Sequence, residues 1–156
     1  MLDLDPAASE VTRLLDGVTD DRLAAPTPCV GMSVAALLDH FVNLSLAFTA
    51  GARKTSESSP PPPPSAEHLP QDWRSALPRH LGDLVNAWRD PAAWQGTTEV
   101  AGATTPAKMM GAFALDELVM HGWDLARATG QTFSYDPAST EAVLALTSAM
   151  ALPENA

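Results

Sequence analysis

The sequence predicts an all-α protein, a bundle of four main helices with an additional helix at the C-terminus. Apolar residues make up 46% of the 156 positions, charged residues 18% and aromatic residues 6%, a balance typical of helical globular proteins. Four long segments repeat apolar residues at the three- and four-residue spacing of an amphipathic helix. At least one connection is long enough to cross a bundle. The length predicts a single domain over residues 1–156.

The first helix is predicted over residues 5–18. Asp5 is expected to cap its start, and Pro6 suits the first turn, where an amide hydrogen would be unsatisfied. Its inward stripe consists of Val11, Leu14, Leu15 and Val18. Residues 19–32 are then predicted as a connection, in which Asp20–Leu23 can form a short helical turn.

The second helix is predicted over residues 33–51, with Ser33 as its cap. His40 lies inside its wide apolar face, not opposite it. Residues 52–71 follow as a linker that contains the five consecutive prolines Pro60–Pro64. Because such a run favours a solvated polyproline conformation, we expect this linker to be mobile and to take no part in a functional site.

The third helix is predicted over residues 72–89, although Pro78 could kink it. Its inner stripe is Trp73, Leu77, Leu81, Leu84, Val85 and Trp88. Residues 90–105 show little periodicity and are rich in glycine and threonine. They are predicted to form a crossing loop with at most a short extended piece.

The fourth helix is predicted to start at Thr105–Pro106, a cap followed by proline, and to end near Thr129. Gly130 suits the position after its last turn. Asp136–Pro137 repeats the cap-then-proline pattern and predicts a fifth helix that ends near Met150.

The charge pattern excludes several classes of partner. The net charge is −10 and no basic cluster occurs, which disfavours nucleic acid and anionic membrane surfaces. The single cysteine, Cys29, allows neither an intrachain disulfide nor a cysteine-rich zinc module. Cys29 could be a reactive thiol, but we expect it to be a small buried hydrophobic residue. The N-terminus lacks a signal pattern, and no apolar run approaches a membrane span of about 18 residues. These features predict a soluble cytoplasmic protein.

Three polar residues fall within apolar stripes. Glu117 and His121 are four residues apart on the fourth helix, so about 40° separates them and both point the same way. Burying such groups without partners costs several kcal/mol. With His40 they make a set of three nitrogen and oxygen ligands, which suits zinc, with iron, nickel or manganese as alternatives. Three protein ligands leave a coordination position open.

The spacing alone leaves other interpretations open. A Glu/His pair at this spacing also occurs as a plain surface pair, and the three residues could form a hydrogen-bond network without a metal. Asp124 could hold the His121 imidazole, or it could be an exposed residue that pairs with nearby basic side chains such as Arg127. His68 and His80 are expected to be solvated.

Two blocks carry a resemblance to a known family. TPCVGMSVAALLDH (Thr27–His40) and DELVMHGWDLARATGQ (Asp116–Gln131) resemble the N-terminal domain family of mycothiol-dependent maleylpyruvate isomerase, in the DinB-like superfamily. The similarity is closest to small actinobacterial members and extends in order and spacing over nearly the whole chain. It implies a four-helix bundle of up-down-down-up topology with a divalent metal, usually zinc. The family's ligands correspond to His40, Glu117 and His121.

The sequence departs from the family pattern at two points. Met32 replaces the tryptophan that follows the Pro-Cys turn, a change expected to affect packing. The isomerase itself has a further C-terminal domain that contributes to catalysis, whereas this chain ends at Ala156. Maleylpyruvate isomerisation is therefore not implied.

Three functional hypotheses follow. The first is a metal- and thiol-dependent transferase or isomerase, in which a thiol such as mycothiol attacks a small electrophile; its catalytic acid and base are unassigned. The second is a non-catalytic metal-binding module with a regulatory or partner-binding role. The third is a helical bundle without a metal. A homodimer is compatible with this architecture.

Overall fold

The computed structural model describes residues 1–55 and 60–151 and is mostly helical, as predicted. In these residues there are five α-helices, three short 3-10 helices and one antiparallel pair of strands. The helices are α1 (Asp5–Asp16), α2 (Val34–Ala52), α3 (Trp73–Trp88), α4 (Ala107–Thr129) and α5 (Pro137–Met150); the strands are β1 (Thr97–Val100) and β2 (Ala103–Pro106). The 3-10 helices span Asp20–Arg22, Ala66–His68 and Pro91–Trp94.

The core lies among the first four helices. Helix α1 packs against α3 and α4, helix α2 packs against the same two, and α5 packs against α4. The stripes predicted for α1 and α3 are buried throughout, and each of the four helices contributes fully buried leucines: Leu14, Leu37, Leu77 and Leu118. Because each buried leucine stabilises the fold by about 1.5–3 kcal/mol, these stripes determine which face of each helix turns inward.

Local sequence signals predicted most helix ends correctly. The Ser33 hydroxyl accepts a hydrogen bond from the Ala36 amide at 3.2 Å, and the Asp136 carboxylate accepts one from the Ser139 amide at 2.8 Å. Gly130 ends α4 with a φ of 71°, a left-handed conformation that glycine adopts without a steric penalty.

Two predicted caps were wrong. The Asp5 side chain does not cap α1; the Asp5 amide instead donates to the Asp3 carboxylate at 3.0 Å. Thr105 lies in β2 opposite Thr98, and Pro106 stands immediately before α4 without a side-chain cap. Pairing with β1 holds Thr105 in a strand, so its hydroxyl is not positioned at the helix start.

The segment predicted as a crossing loop contains a β-hairpin. Its turn places Ala101 at a φ of 51° and Gly102 at 82°, the two positive values of a type I′ turn. The hairpin lies on α2, where the Thr98 hydroxyl donates to the Gly51 carbonyl. A Cβ at Gly51 would come within 2.5 Å of a Val100 methyl carbon, so the absence of a side chain permits this contact.

A second close contact joins α4 to the chain before the hairpin. The buried rings of Trp88 and Trp94 meet edge to face at 5.0 Å, and the Trp94 indole donates to the Trp88 carbonyl at 2.7 Å. Gly111 of α4 faces them, and a Cβ there would lie 2.5 Å from the Trp94 ring. Gly111 is therefore needed for close packing of α4.

Helix α1 is joined to the segment between α4 and α5 by a buried carboxylate. Glu10 accepts hydrogen bonds from Arg13 at 2.8 Å and from the Ser134 amide at 2.7 Å. The Arg13 hydrogen bond is the main reason that the pKa of Glu10 is lowered, against the opposing effect of burial.

The proline-rich connection is tethered to α2. The Ser65 amide donates to the buried Asp39 carboxylate at 3.1 Å, and His68 Nδ1 lies 3.9 Å from the same oxygen. The mobility predicted for residues 52–71 falls partly on residues 56–59, which lie outside the described residues. Helix α2 ends at Ala52, which is the first residue of the predicted linker.

Helix α2 differs from the sequence prediction in one respect. Its 19 residues are long and apolar enough to pass the length and composition test for a membrane span, although no such run was expected. In the described part of the chain it is the only helix that passes. Most of it is buried among the other elements, as in the central helix of a globular core.

Candidate metal centre

The three residues selected from the sequence meet at one point between α2 and α4. His40 Nε2 lies 3.0 Å from Glu117 Oε2, although the two residues are 77 positions apart. His121 Nε2 lies 3.2 Å from the same carboxylate oxygen. The two imidazole rings stand edge to face with centroids 4.8 Å apart. Two helices that pack side by side therefore bring two imidazoles and one carboxylate together.

The cluster lies at the edge of the core. The side chains of His40, Glu117 and His121 are 25%, 33% and 19% exposed, so solvent reaches all three. The sequence predicted that they point into the apolar interior; the structure places them where that interior opens. Such a position suits a site that exchanges ions or ligands with solution.

The charges of the cluster are strongly coupled. Burial would raise the pKa of Glu117, but hydrogen bonds from His121 and His40 outweigh it and lower the pKa to about 2. Burial would likewise lower the pKa of His121, but its contacts with Glu117 and Asp124 outweigh this effect and raise it. The geometry therefore favours a negative Glu117 with positive charge close to it.

Asp124 resolves one of the alternatives left open by the sequence. It is 8% exposed, and its Oδ2 lies 3.0 Å from His121 Nδ1. The interpretation as an exposed residue paired with Arg127 is therefore wrong. One turn of α4 brings the Asp124 carboxylate onto the ring nitrogen of His121 that faces away from Glu117, where it orients the imidazole.

Cys29 also belongs to this region, contrary to the expectation from the sequence. Its Sγ lies 3.1 Å from Asp124 Oδ2 and 3.8 Å from His121 Nδ1, and the residue is half-buried. Burial, followed by the hydrogen bond to Asp124, raises the pKa of the thiol to about 11. The expected plain buried hydrophobic residue is thus a neutral thiol that donates to Asp124. The one available sequence signal was its presence in the same block as His40.

A neutral His121 ring cannot donate to both of the carboxylates that it contacts. A neutral imidazole carries one N–H, yet His121 has the Asp124 carboxylate at Nδ1 and the Glu117 carboxylate at Nε2. Both contacts are favourable only if the ring is protonated or if a cation lies beside Nε2. Among the ion pairs of the described residues, none joins a lysine or arginine to either carboxylate.

The donor set fits a divalent transition metal. The ligand atoms of His40, Glu117 and His121 all lie within 4.8 Å of one another, and nitrogen with carboxylate oxygen is the set that zinc accepts. A second group, Cys29, His121 and Asp124, meets the same distance criterion. His121 links the two groups because each contacts a different ring nitrogen. His68 and His80 belong to neither group.

An apolar cavity of about 310 Å³ opens beside His40 and Glu117. Residues of α2, the hairpin and α4 form its walls, and Pro61 of the proline-rich connection completes the lining. The expectation that this connection takes no part in the site was therefore wrong, because Pro61 lines the space beside the cluster.

Fold and cluster together define a class: a small helical protein with a His/Glu/His donor set between two packed helices. Comparison with protein families specifies it further. A family model described as the mycothiol maleylpyruvate isomerase N-terminal domain matches residues 4–126, and the chain belongs to this family. The match spans every residue of the two clusters and ends before α5. The same comparisons find no match among curated proteins and none among solved structures.

Proposed function

We propose that this protein binds a divalent metal through His40, Glu117 and His121 and uses it in thiol-dependent chemistry on a small electrophile. The observation that carries the proposal is the position of His121 between two carboxylates, with no lysine or arginine paired to either in the described residues. A cation beside Nε2 satisfies this arrangement at neutral pH. Zinc suits the donor set best, and nickel, iron and manganese are alternatives.

Each residue of the cluster has a distinct part in this proposal. His40 Nε2, a Glu117 oxygen and His121 Nε2 hold the metal. Asp124 accepts the Nδ1 hydrogen of His121, which leaves the lone pair of Nε2 free for coordination. Cys29 donates to Asp124 and so keeps that carboxylate in place. A divalent cation held here would supply Lewis acidity, which lowers the pKa of a thiol or of water.

The thiol and the electrophile are inferred from different sources. Mycothiol is the thiol in the name of the matching family, and we propose it as co-substrate here. The electrophile would occupy the cavity, whose polar end is formed by His40 and Glu117. The proposed reaction class is transfer or isomerisation.

A non-catalytic, metal-binding regulatory or partner-binding role is the alternative. It is favoured by one observation: among the described residues that line the cavity, His40 and Glu117 are the only two with an acidic or basic side chain. If both hold a metal, neither serves as general acid or base. Thiol-dependent turnover separates the two candidates.

The proposal includes the architecture and location that the family implies. We propose that α1 to α4 form an up-down-down-up, DinB-like bundle, which is supported by the packing of α1 and of α2 against both α3 and α4. We place the protein in the cytoplasm, an assignment supported by the burial of α2 within the fold.

Metal analysis tests the ligand assignment. Protein purified without an affinity tag is expected to bind one equivalent of zinc, measured by elemental analysis and by titration against a chromophoric chelator. His121→Gln and Glu117→Gln should each lose this binding. His80→Gln is the matched control, because it removes a histidine outside the cluster. Stoichiometric zinc that survives in folded His121→Gln would refute the assignment.

Turnover tests the reaction class. Metal-loaded protein is expected to accelerate the reaction of a small thiol with a chloro-nitroaromatic electrophile, in which the thiolate sulfur forms a bond to the ring carbon and chloride leaves, and the metal-free protein is not. Zinc binding without any thiol-dependent rate, across mycothiol and other low-molecular-weight thiols, would instead support the non-catalytic alternative.

A further inference from the structure

The cavity beside the cluster has a composition that restricts what it can hold. Its body is formed by aliphatic and aromatic side chains, among them Leu44, Phe48, Val100, Met110 and Phe113. Its polar side chains are His40 and Glu117, with Asn43 one helical turn after His40, and Thr105 of the hairpin. The cavity therefore has both of its ionisable groups at one end and a largely apolar remainder.

No lysine or arginine lines this cavity in the part of the chain that the structure describes. The sequence of residues 56–59 and 152–156 contains neither residue type. A cation held at the cluster could pair with one carboxylate at the polar end, but the rest of the lining offers no positively charged side chain for a second. Burying a carboxylate without a partner is costly, so a dicarboxylate fits this cavity poorly.

The size of the cavity sets the bulk of its occupant. An apolar cavity of about 150 Å³ is sufficient to hold benzene. The cavity here measures about 310 Å³, which accommodates a substituted single ring or a branched chain of similar bulk. This volume lies at the lower end of the range for small-molecule sites, roughly 300–1,000 Å³.

We propose that the cavity binds an uncharged, predominantly apolar small molecule the size of a substituted benzene, with its polar, reacting end towards His40 and Glu117. The orientation rests on the proposed function, whereas the preference for an uncharged body rests on the lining alone. The side-chain amide of Asn43 makes no hydrogen bond within the described residues and is available to a polar group of this molecule. The substrate thus differs in class from the dicarboxylate maleylpyruvate that appears in the family name.

The test compares two ligands that share one ring. Dimethyl isophthalate is uncharged, isophthalate is a dianion whose two carboxylates are too far apart to bind one cation together, and neither alkylates Cys29. Binding is followed by NMR of protein with carbon-13-labelled methionine methyl groups. Met110, which lines the cavity, is the reporter, and its exposed neighbour Met109 is the internal control. Both titrations are done with metal-free and with zinc-loaded protein, without thiol.

We expect the diester to shift the Met110 resonance saturably, and isophthalate to bind at least about tenfold more weakly in both forms, because its second carboxylate has no positively charged partner. Ala47→Leu adds bulk to the cavity wall and should weaken diester binding at least about fivefold. Ala50→Leu is the same substitution on the same helix outside the lining and should leave diester binding unchanged.

The outcomes separate this inference from the proposed function. If isophthalate binds zinc-loaded protein as tightly as the diester does, or if Ala47→Leu has no more effect than Ala50→Leu, the inference is overturned. Zinc binding without any diester binding overturns the inference about the cavity but is consistent with the proposed metal site. Diester binding at Met110 in protein that takes up no zinc supports the cavity and refutes the metal site.

Discussion

Asp124→Asn provides a quantitative test of how the centre is built. The substitution keeps the shape of the side chain and an oxygen that can accept the Nδ1 hydrogen of His121, but it removes the negative charge. Asp124 is 8% exposed and its contact with His121 is 3.0 Å long, so solvent screens the interaction only weakly. We expect the variant to fold and to bind zinc more weakly.

The magnitude follows from the change in hydrogen-bond type. A hydrogen bond to a charged group contributes about 1.5–3 kcal/mol and a neutral one about 0.5–1.5 kcal/mol. The difference, about 1–2 kcal/mol, corresponds to a loss of zinc affinity of roughly 5- to 30-fold. This range overlaps the 10- to 100-fold loss typical when the residue that orients a metal ligand is replaced.

Proton competition determines the pH of the measurement. Asp124 is one cause of the raised pKa of His121, so the variant should protonate His121 less readily. Because proton competition weakens as pH rises, this reduced competition offsets more of the loss of affinity at pH 6 than at pH 8. Zinc affinity of the unaltered protein should itself rise from pH 6 to pH 8, because the ligand nitrogen must lose its proton.

Competition with a chromophoric chelator at both pH values measures these affinities, and circular dichroism confirms that the variant is folded. Asp83→Asn removes the same charge from an exposed position on α3 and controls for net charge. A zinc affinity at pH 8 within about twofold of the unaltered protein would show that Asp124 does not orient His121 for the metal.

Three further predictions concern packing, acid stability and the thiol. Gly111→Ala should lower the free energy of unfolding by about 1–3 kcal/mol in urea titrations, because its Cβ would overlap the Trp94 ring. Glu10→Gln should cost about 2 kcal/mol at pH 7 and flatten the acid limb of the stability curve. The Glu10 pKa is lowered on folding, so its contribution is present above the unfolded value of 4.5 and is lost as pH falls through the folded value. Cys29 should react with iodoacetamide at pH 8 about 100-fold more slowly than a free thiol, because its pKa is raised to about 11 from 9.0.

Each of these has its own control. Gly82→Ala on α3 meets no neighbouring atom and should stabilise the helix by up to about 1 kcal/mol; destabilisation at both glycines would contradict the steric argument. An unchanged acid limb in Glu10→Gln would assign acid unfolding to other carboxylates. Asp124→Asn should accelerate alkylation of Cys29, and alkylation at the rate of a free thiol in the unaltered protein would refute the assignment of a neutral thiol.

Much of the helical framework was predictable because its signals are local. The Ser33 and Asp136 caps and the Gly130 stop depend on groups a few residues away. The prediction of Thr105 as a helix cap was wrong because a non-local contact decided its conformation. Thr105 pairs with Thr98 across the hairpin and is held in a strand. The hairpin was missed because its stability comes largely from contacts with α2, such as the Thr98 hydrogen bond to Gly51, which no short window of sequence contains.

The candidate ligands were predictable in two stages. Glu117 and His121 share a face because helical geometry dictates it, whereas His40 entered through its apolar stripe and the family resemblance. Their assignment as ligands stays a prediction until a metal is measured. The residues that contact these ligands were harder to predict from the sequence. Asp124 could be interpreted in two ways, and Cys29 was expected in a purely hydrophobic environment.

By itself the sequence determined the helical class, most helix ends, the inward stripes and the family, because periodicity, capping and motif spacing act over a few residues. Only the tertiary structure decided that His40 meets Glu117 across 77 positions and that Cys29 meets Asp124 across 95. It also decided that the hairpin and Pro61 help to line an apolar cavity beside them. These arrangements depend on how helix faces pack, and packing is settled by the whole core at once.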